Sequence, residues 1–256
     1  MTHRTEIVAR SLVCDNVQSM SEYKILKKAE TRKEWLMLRQ LGIGGSDAAA
    51  IMGMNRYKKR SDVFRDKMSH DLNEFSNAAM RFGTVFESYI LERIRPEYAW
   101  AHVEPGDDMG TLHHKVRQWQ LANIDGMLVK DGEPYGVGLE IKTCAERSYY
   151  AWRQGPPPMY HAQVQHYMSV MGWDRFDIWL CVSCGDRATL LDEFDHSDDP
   201  DGFGTDLIRR CIIERHEVLR NDAFISRMNA DEEKFWDLVQ SARKDDPYFD
   251  SFHVAG

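Results

Sequence analysis

Apolar positions in this chain recur at two periods, and the switch between them divides the sequence. In TRKEWLMLRQL (31–41), Trp35, Leu38 and Leu41 follow helical spacing and predict a helix. The glycines of GIGGSD (42–47) end it, and Ser46 or Asp47 offers an N-cap for a second helix through about Met52. A short helix is expected from Ser61. A longer one is expected from about Glu74 to Ile94, stopped by Pro96. Period two then takes over. YAWAHVEP (98–105) and WQLANIDGMLV (119–129) read as strands, KDGEPYG (130–136) as a turn, and VGLEIKT (137–143) as the second arm of a hairpin. Three prolines at 156–158 exclude helix and central strand there and lead rigidly into a helix, MYHAQVQHYMSVM (159–171). FDIWLCVSC (176–184) and RATLLDEF (187–194) read as further strands, and about 204 to 243 as helix. This order predicts an α/β (α+β) fold with a central mixed sheet flanked by helices. It forms one domain over 31–256, helical from about 204 and preceded by an N-terminal arm, 1–30.

Composition narrows the function classes. The chain has 256 residues and 43% apolar content, enough for a core, and no uncharged apolar run of 18, so no helix is expected to span a membrane. The first residues lack the apolar segment of a secretory signal, and a cytoplasmic location is expected, the host cytoplasm if the protein is phage-encoded. The net charge of −8 is unhelpful for binding phosphates, but it is unevenly spread. Acid concentrates in 192–201 and 244–250, whereas the first 70 residues carry the basic runs KILKK, TRK and NRYKKR. Arg56 and Lys58 to Arg60 fit a solvated turn or contact with a DNA backbone. The five cysteines, Cys14, Cys144, Cys181, Cys184 and Cys211, are odd in number and scattered, and read as reduced thiols. Cys181 and Cys184 would face opposite sides of a continuous strand, which argues against a metal or cluster site. His113 and His114 fall in a loop-like stretch, and Trp35, Trp152 and Trp179 are candidates for the core.

The candidate chemistry lies in the hairpin. Glu140 and Lys142 are two apart on a strand and share a face, and the hairpin brings Asp125 beside Glu140. Glu87 adds a third carboxylate if its helix packs against the sheet edge. Two or three carboxylates with one ammonium suit phosphodiester hydrolysis around a hard cation such as Mg2+. The triplet alone is weak: Glu22–Lys24 and Glu232–Lys234 repeat it. Spacing therefore leaves two readings, a nuclease centre or a solvated strand face with an ion pair. Gln163 and Gln165 similarly fit either an exposed helix face or a site.

Five segments in order, RQLGIGGSDAAAIMG (39–53), FGTVFE (82–87), NIDGML (123–128), GLEIKT (138–143) and YHAQVQHYM (160–168), resemble the YqaJ-type viral recombinase family. That family is similar to phage lambda exonuclease, within the PD-(D/E)xK nucleases. The resemblance covers roughly 32 to 182; the first 30 residues and the chain after 195 match nothing in it. It implies a restriction-endonuclease-like core and magnesium-dependent 5′-to-3′ degradation of duplex DNA ends by two-metal hydrolysis, with Mn2+ able to substitute. It further implies that Asp125, Glu140 and the Ile141 carbonyl bind metal, with Glu87 acting on a metal directly or through water. Lys142 would position the attacking water, Gln163 would lie by the reacting centre, and Arg39 and Ser46 would hold the 5′-phosphate. A glycine-rich turn opening a helix is a physical reason to expect an anion at that last position. The implied partners are double-stranded DNA ends, a single-strand annealing protein and copies of the chain itself in a trimer ring. An endonuclease of the same superfamily and a non-catalytic DNA-end-binding subunit are the alternative functions.

Overall fold

The computed structural model describes residues 22–72 and 76–252. The elements run β1 (Tyr23–Lys27), α1 (Arg32–Gln40), α2 (Gly45–Ile51), α3 (Arg60–Met68), α4 (Ala78–Ile94), β2 (His102–Pro105), α5 (Gly106–Met109), β3 (Thr111–His114) and β4 (Leu121–Ala122). There follow β5 (Gly126–Lys130), β6 (Glu133–Ala145), α6 (Pro158–Met171), β7 (Arg175–Ser183), α7 (Arg187–Asp195), α8 (Pro200–Arg210), β8 (Ile212–Leu219) and α9 (Asp222–Arg243). Five strands form one sheet in the order β2-β5-β6-β7-β8, antiparallel except for the parallel β6–β7 pair. This is the mixed sheet flanked by helices that the patterning predicts. A three-stranded sheet, β1-β3-β4, was not expected.

Alternation along the central strands builds two cores. Val137, Leu139 and Ile141 of β6 and Trp179 and Cys181 of β7 pack under α4, α7 and α8. Phe176, Ile178, Leu180 and Val182 of β7 face the other way, toward α2, α6 and α9. Helix α4 buries Phe82, Phe86, Ile90 and Ile94, a four-residue repeat, against the first face. Helix α6 is enclosed on nearly all sides, with every residue from Ala162 to Met171 buried. Its polar members are accordingly paired. Gln165 donates to the Leu219 carbonyl at 2.8 Å and accepts from Asn221 N–H, and His166 bonds Glu232 at 2.7 Å and the Leu121 carbonyl at 2.9 Å. Gln165 is therefore structural rather than exposed.

Several boundaries differ from the expected ones. RATLLDEF is helix α7, not strand: Asp186 caps it by accepting from Thr189 N–H, and Leu190, Leu191 and Phe194 turn toward the core. The C-terminal part is not all helix, because β8 separates α8 from α9. Its Arg215 and Glu217 face solvent, as suits an edge strand. WQLANIDGMLV is two strands in two sheets, broken at 123–125. Of the expected arm, Tyr23–Lys27 is strand β1, pairing with β3, and residues 1–21, including Cys14, lie outside the described residues. Residues 74 and 75 of the expected long helix also lie outside them, and α4 opens at Ala78 under an Asn77 cap. His113 and His114 are buried in β3 rather than in a polar loop. No helix among the described residues is long and apolar enough to cross a membrane.

Candidate active site

The hairpin that carries the site is closed by Asp131 and Gly132, both at positive φ (54° and 84°), between the paired residues Lys130 and Glu133. Its register pairs Gly126 with Leu139, so β5 ends just where Glu140 begins. Asp125 sits immediately before β5 rather than within it. Gly106 fixes it there: its N–H donates to the Asp125 carbonyl at 2.9 Å, and a Cβ at Gly106 would stand 1.6 Å from the Ile124 oxygen. With no β5 residue opposite it, the Ile141 N–H donates instead to Asp125 Oδ2 at 2.6 Å. The Ile141 carbonyl leaves β6 on that same open flank.

Glu140 and Lys142 point toward α6. Glu140 is 1% exposed, and its Oε1 accepts from Lys142 Nζ in a short contact and from Gln163 Nε2 at 2.6 Å. Its Oε2 is buried with no hydrogen-bond partner. Gln163 also donates to the Tyr167 hydroxyl at 3.0 Å. Gly45 permits this close meeting of α2 and α6, since a Cβ there would stand 2.7 Å from the Tyr167 ring and 2.8 Å from Gln163 Cγ. Lys142 Nζ lies 5.3 Å from the Tyr160 ring centroid. From the opposite core layer, α4 brings Glu87 to the same cleft, one turn after Gly83. The cleft encloses about 1480 Å³, and Glu87, Asp125, Ile141, Lys142, Gln163 and Ser46 all line it.

The electrostatics of this group are those of crowded carboxylates. Burial, then Asp125, pushes Glu140 up to about 8, against the pull of Lys142 and Gln163. Burial, then Asp125, Asp107 and Glu140, pushes Glu87 up to about 9. Burial also raises Asp125, while Lys142 and the Ile141 N–H oppose it. Burial works against a charge on Lys142, but Glu140 and Asp125 outweigh it and hold the ammonium firmly protonated.

Arg39 and Ser46 are in contact: Arg39 donates to Ser46 Oγ at 3.2 Å and lies over the Trp35 ring at 4.8 Å. The cap of α2 is Gly44, not Ser46 or Asp47. Asp47 has another role. It is fully buried and accepts from Arg39 at 3.2 Å, Lys58 at 3.1 Å and Lys67 at 2.8 Å. Burial disfavours its charge, but the three cations hold it well below the usual carboxylate range. The sequence reading missed this cluster. The one signal was an aspartate followed by three alanines, in a helix with no exposed face for an acid.

The cysteines also depart from expectation. Strand β7 stops at Ser183, so the opposite-face argument does not apply to Cys184. Its sulfur lies 3.8 Å from that of Cys211, and the Cys181 thiol also bonds Cys211. Among the described residues, no three His, Cys, Asp or Glu side chains form a closed metal-ligand set, at the thiols or elsewhere. At the hairpin, Glu140 is turned onto Lys142 and Gln163, and Asp125 onto Ile141 N–H. The donor set nonetheless fits a hard divalent cation. It consists of oxygen ligands only, includes one buried oxygen without a partner, and holds carboxylates that repel one another in the absence of positive charge.

Comparison with known proteins gives the chain's fold and family. In sequence, the chain is 30% identical over 175 residues to a Bacillus subtilis (strain 168) protein named only as uncharacterized protein YqaJ; the alignment takes in 66% of this chain and 51% of that protein. The chain thus spans about half the length of the curated relative it matches. In structure, it matches LHK-Exo, an alkaline exonuclease from Laribacter hongkongensis, in two crystal structures, one in complex with dAMP. Each match covers 83% of this chain and 94% of that one with a TM-score of 0.59 and 19% identity, which establishes a shared fold. The profile of the YqaJ-like viral recombinase domain matches residues 34–174, over half the chain, and the chain belongs to that family.

Proposed function

We propose that this protein is a metal-dependent exonuclease that degrades one strand of duplex DNA from its 5′ end and leaves a 3′ single strand for recombination. The observation that carries this reading is that Asp125 and Glu87 line one cleft with Lys142 and Gln163, which both bond the Glu140 carboxylate buried behind them, and that one Glu140 oxygen is left unpartnered. Family membership and the fold shared with an alkaline exonuclease support it. In this reading Asp125, Glu140, Glu87 and the Ile141 carbonyl hold Mg2+, in a two-metal arrangement, with Mn2+ able to replace it. Bound there, the metal supplies Lewis acidity toward a phosphoryl oxygen and a lowered pKa for water.

The remaining work falls to the chain's own groups. Without a metal, Glu140 and Asp125 hold the Lys142 ammonium protonated. It orients the attacking water and stabilises charge developing on the phosphoryl oxygens. Gln163 holds Glu140 Oε1 by its amide and so fixes the carboxylate's orientation, leaving Oε2 without a partner. Arg39 and Ser46 receive the 5′-phosphate, with Asp47 setting the direction of the Arg39 guanidinium. A single-strand annealing protein would take the 3′ strand, and a ring of three chains would keep the enzyme on the duplex.

The test is a digestion time course on linear duplex DNA labelled at either 5′ or 3′ ends, with a closed circle, EDTA and Lys142→Ala in parallel. Early release of 5′ label, an intact circle and an inactive variant are expected. Cleavage of the circle would mean an endonuclease on the same residues. Absence of any magnesium-dependent cleavage would mean a DNA-end-binding subunit.

A further inference from the structure

Strands β6 and β7 run parallel, and their last paired residues are Ala145 and Ser183. Both chains then turn at the same end of the sheet, the carboxyl end, where ligands of open sheets commonly sit. Each turn delivers an arginine to the cleft, Arg147 two residues past Ala145 and Arg187 four past Ser183. Lys142 lies three residues before Ala145, so the arginines begin about 10 Å from the reacting centre along β6.

These two cations lack what surface arginines usually have. Among the described residues neither forms an ion pair. Asp186, an acid of the same cleft, is committed to capping α7, accepting from Thr189 N–H at 3.0 Å and Thr189 Oγ1 at 3.1 Å. Arg187 Nε is buried without a hydrogen-bond partner. Its guanidinium carbon lies 5.7 Å from the Phe82 ring centroid. The two guanidinium groups also repel each other. Burying the Arg187 donor without a partner costs free energy unless an acceptor completes it. Its placement is specified, because α7 is tied to α4 by the two-pronged ion pair of Arg81 with Asp195 at 2.6 and 2.7 Å.

We propose that Arg147 and Arg187 form a phosphate-binding subsite for the backbone of the nucleic-acid strand beyond the reacting phosphate. The subsite offsets the carboxylates that would otherwise repel a polyanion from this cleft. Planar guanidinium forks suit successive phosphate oxygens, and they read no bases. The subsite rests on the nuclease reading only for its purpose; backbone binding itself does not depend on cleavage.

The experiment is fluorescence anisotropy of the full chain with a labelled duplex bearing a single-stranded extension, in EDTA, across about 50 to 200 mM salt. Wild type, Arg147→Ala/Arg187→Ala, Arg187→Lys and Lys130→Ala are compared, each checked for a native melting transition. Each lost phosphate contact lowers the slope of log affinity against log salt by roughly 0.7 to 0.9. The double variant should therefore lose about 1.4 to 1.8 of slope. Arg187→Lys should retain most of it, and Lys130→Ala, at the far end of β5, all of it. An unchanged slope in a folded double variant overturns the subsite, as does a wild type that binds no DNA. A wild type that binds with the expected slopes yet cleaves nothing in magnesium refutes the nuclease reading and leaves the subsite standing.

Discussion

Two buried charge clusters face each other across α2 and α6, and they are built with opposite imbalance. Around Asp47, one carboxylate serves three cations, Arg39, Lys58 and Lys67. Around Lys142, one cation serves three carboxylates, Asp125, Glu140 and Glu87. The first keeps its acid ionised; the second pushes Glu140 and Glu87 to about 8 and 9. A buried pair built for stability alone would balance its charges. In the proposed reading, the surplus of each cluster suits its ligand, an anion for the basic group and a cation for the acidic one. Gly45 lets the two approach closely, since Ser46 at one cluster and Gln163 at the other lie on helices with almost no space between them.

The comparison breaks first at the acidic cluster. Lys142→Ala, Asp125→Ala or Glu140→Ala should each lower the rate of end-dependent cleavage by at least about 10³-fold, read as acid-soluble product under saturating magnesium. Asp47→Asn should not merely weaken function but destabilise the fold by about 3–5 kcal/mol, because Lys67 would be left buried and unpaired. Urea unfolding measures this, and Asp47→Asn/Lys67→Met should lose less than Asp47→Asn alone. Glu87→Gln should act in the other direction. The Glu87 carboxyl is raised to about 9 from an ordinary 4.5, so the stability it contributes is complete below pH 4.5 and is lost as pH rises through 9. Glutamine does not ionise, so in metal-free buffer the variant should melt higher than wild type at pH 8, by on the order of 2 kcal/mol or about 4–8 °C. A lower melting point would show that Glu87 is held by contacts rather than strained by charge. Arg39→Ala should have the smallest effect, about a tenfold loss of preference for 5′-phosphorylated over 5′-hydroxyl ends. An unchanged ratio would detach the basic cluster from the substrate end.

Much of the acidic site was legible because it is local. The Asp-Gly turn, the two-residue spacing of Glu140 and Lys142, and the prolines that start α6 all act within a few residues. The basic cluster was legible only in part, through Arg39 and Ser46, because Lys58 and Lys67 reach Asp47 across a loop and a helix and no periodicity encodes that meeting. The misread elements have separate causes. RATLLDEF contains adjacent leucines that satisfy either period, and the Asp186 cap decides for helix. IIERHEVL in β8 is an edge strand whose charges hide its alternation. The break at Asn123, where Thr111 donates to its side chain at 2.8 Å, depends on a strand remote in sequence. Gln163 and Gln165 look alike on paper. Which of them faces the carboxylates is set by the sheet and by α9, which take Gln163 to Glu140 and Gln165 to the end of β8.

The most direct test is titration calorimetry with manganese on wild type, Glu140→Ala, Asp125→Ala and Asp47→Asn under conditions where all remain folded. The account predicts saturable binding by wild type, binding lost or strongly weakened in Glu140→Ala and Asp125→Ala, and binding retained in Asp47→Asn. Equal manganese binding by wild type and Glu140→Ala would contradict it, because the unpartnered oxygen of Glu140 would then have no ligand to await.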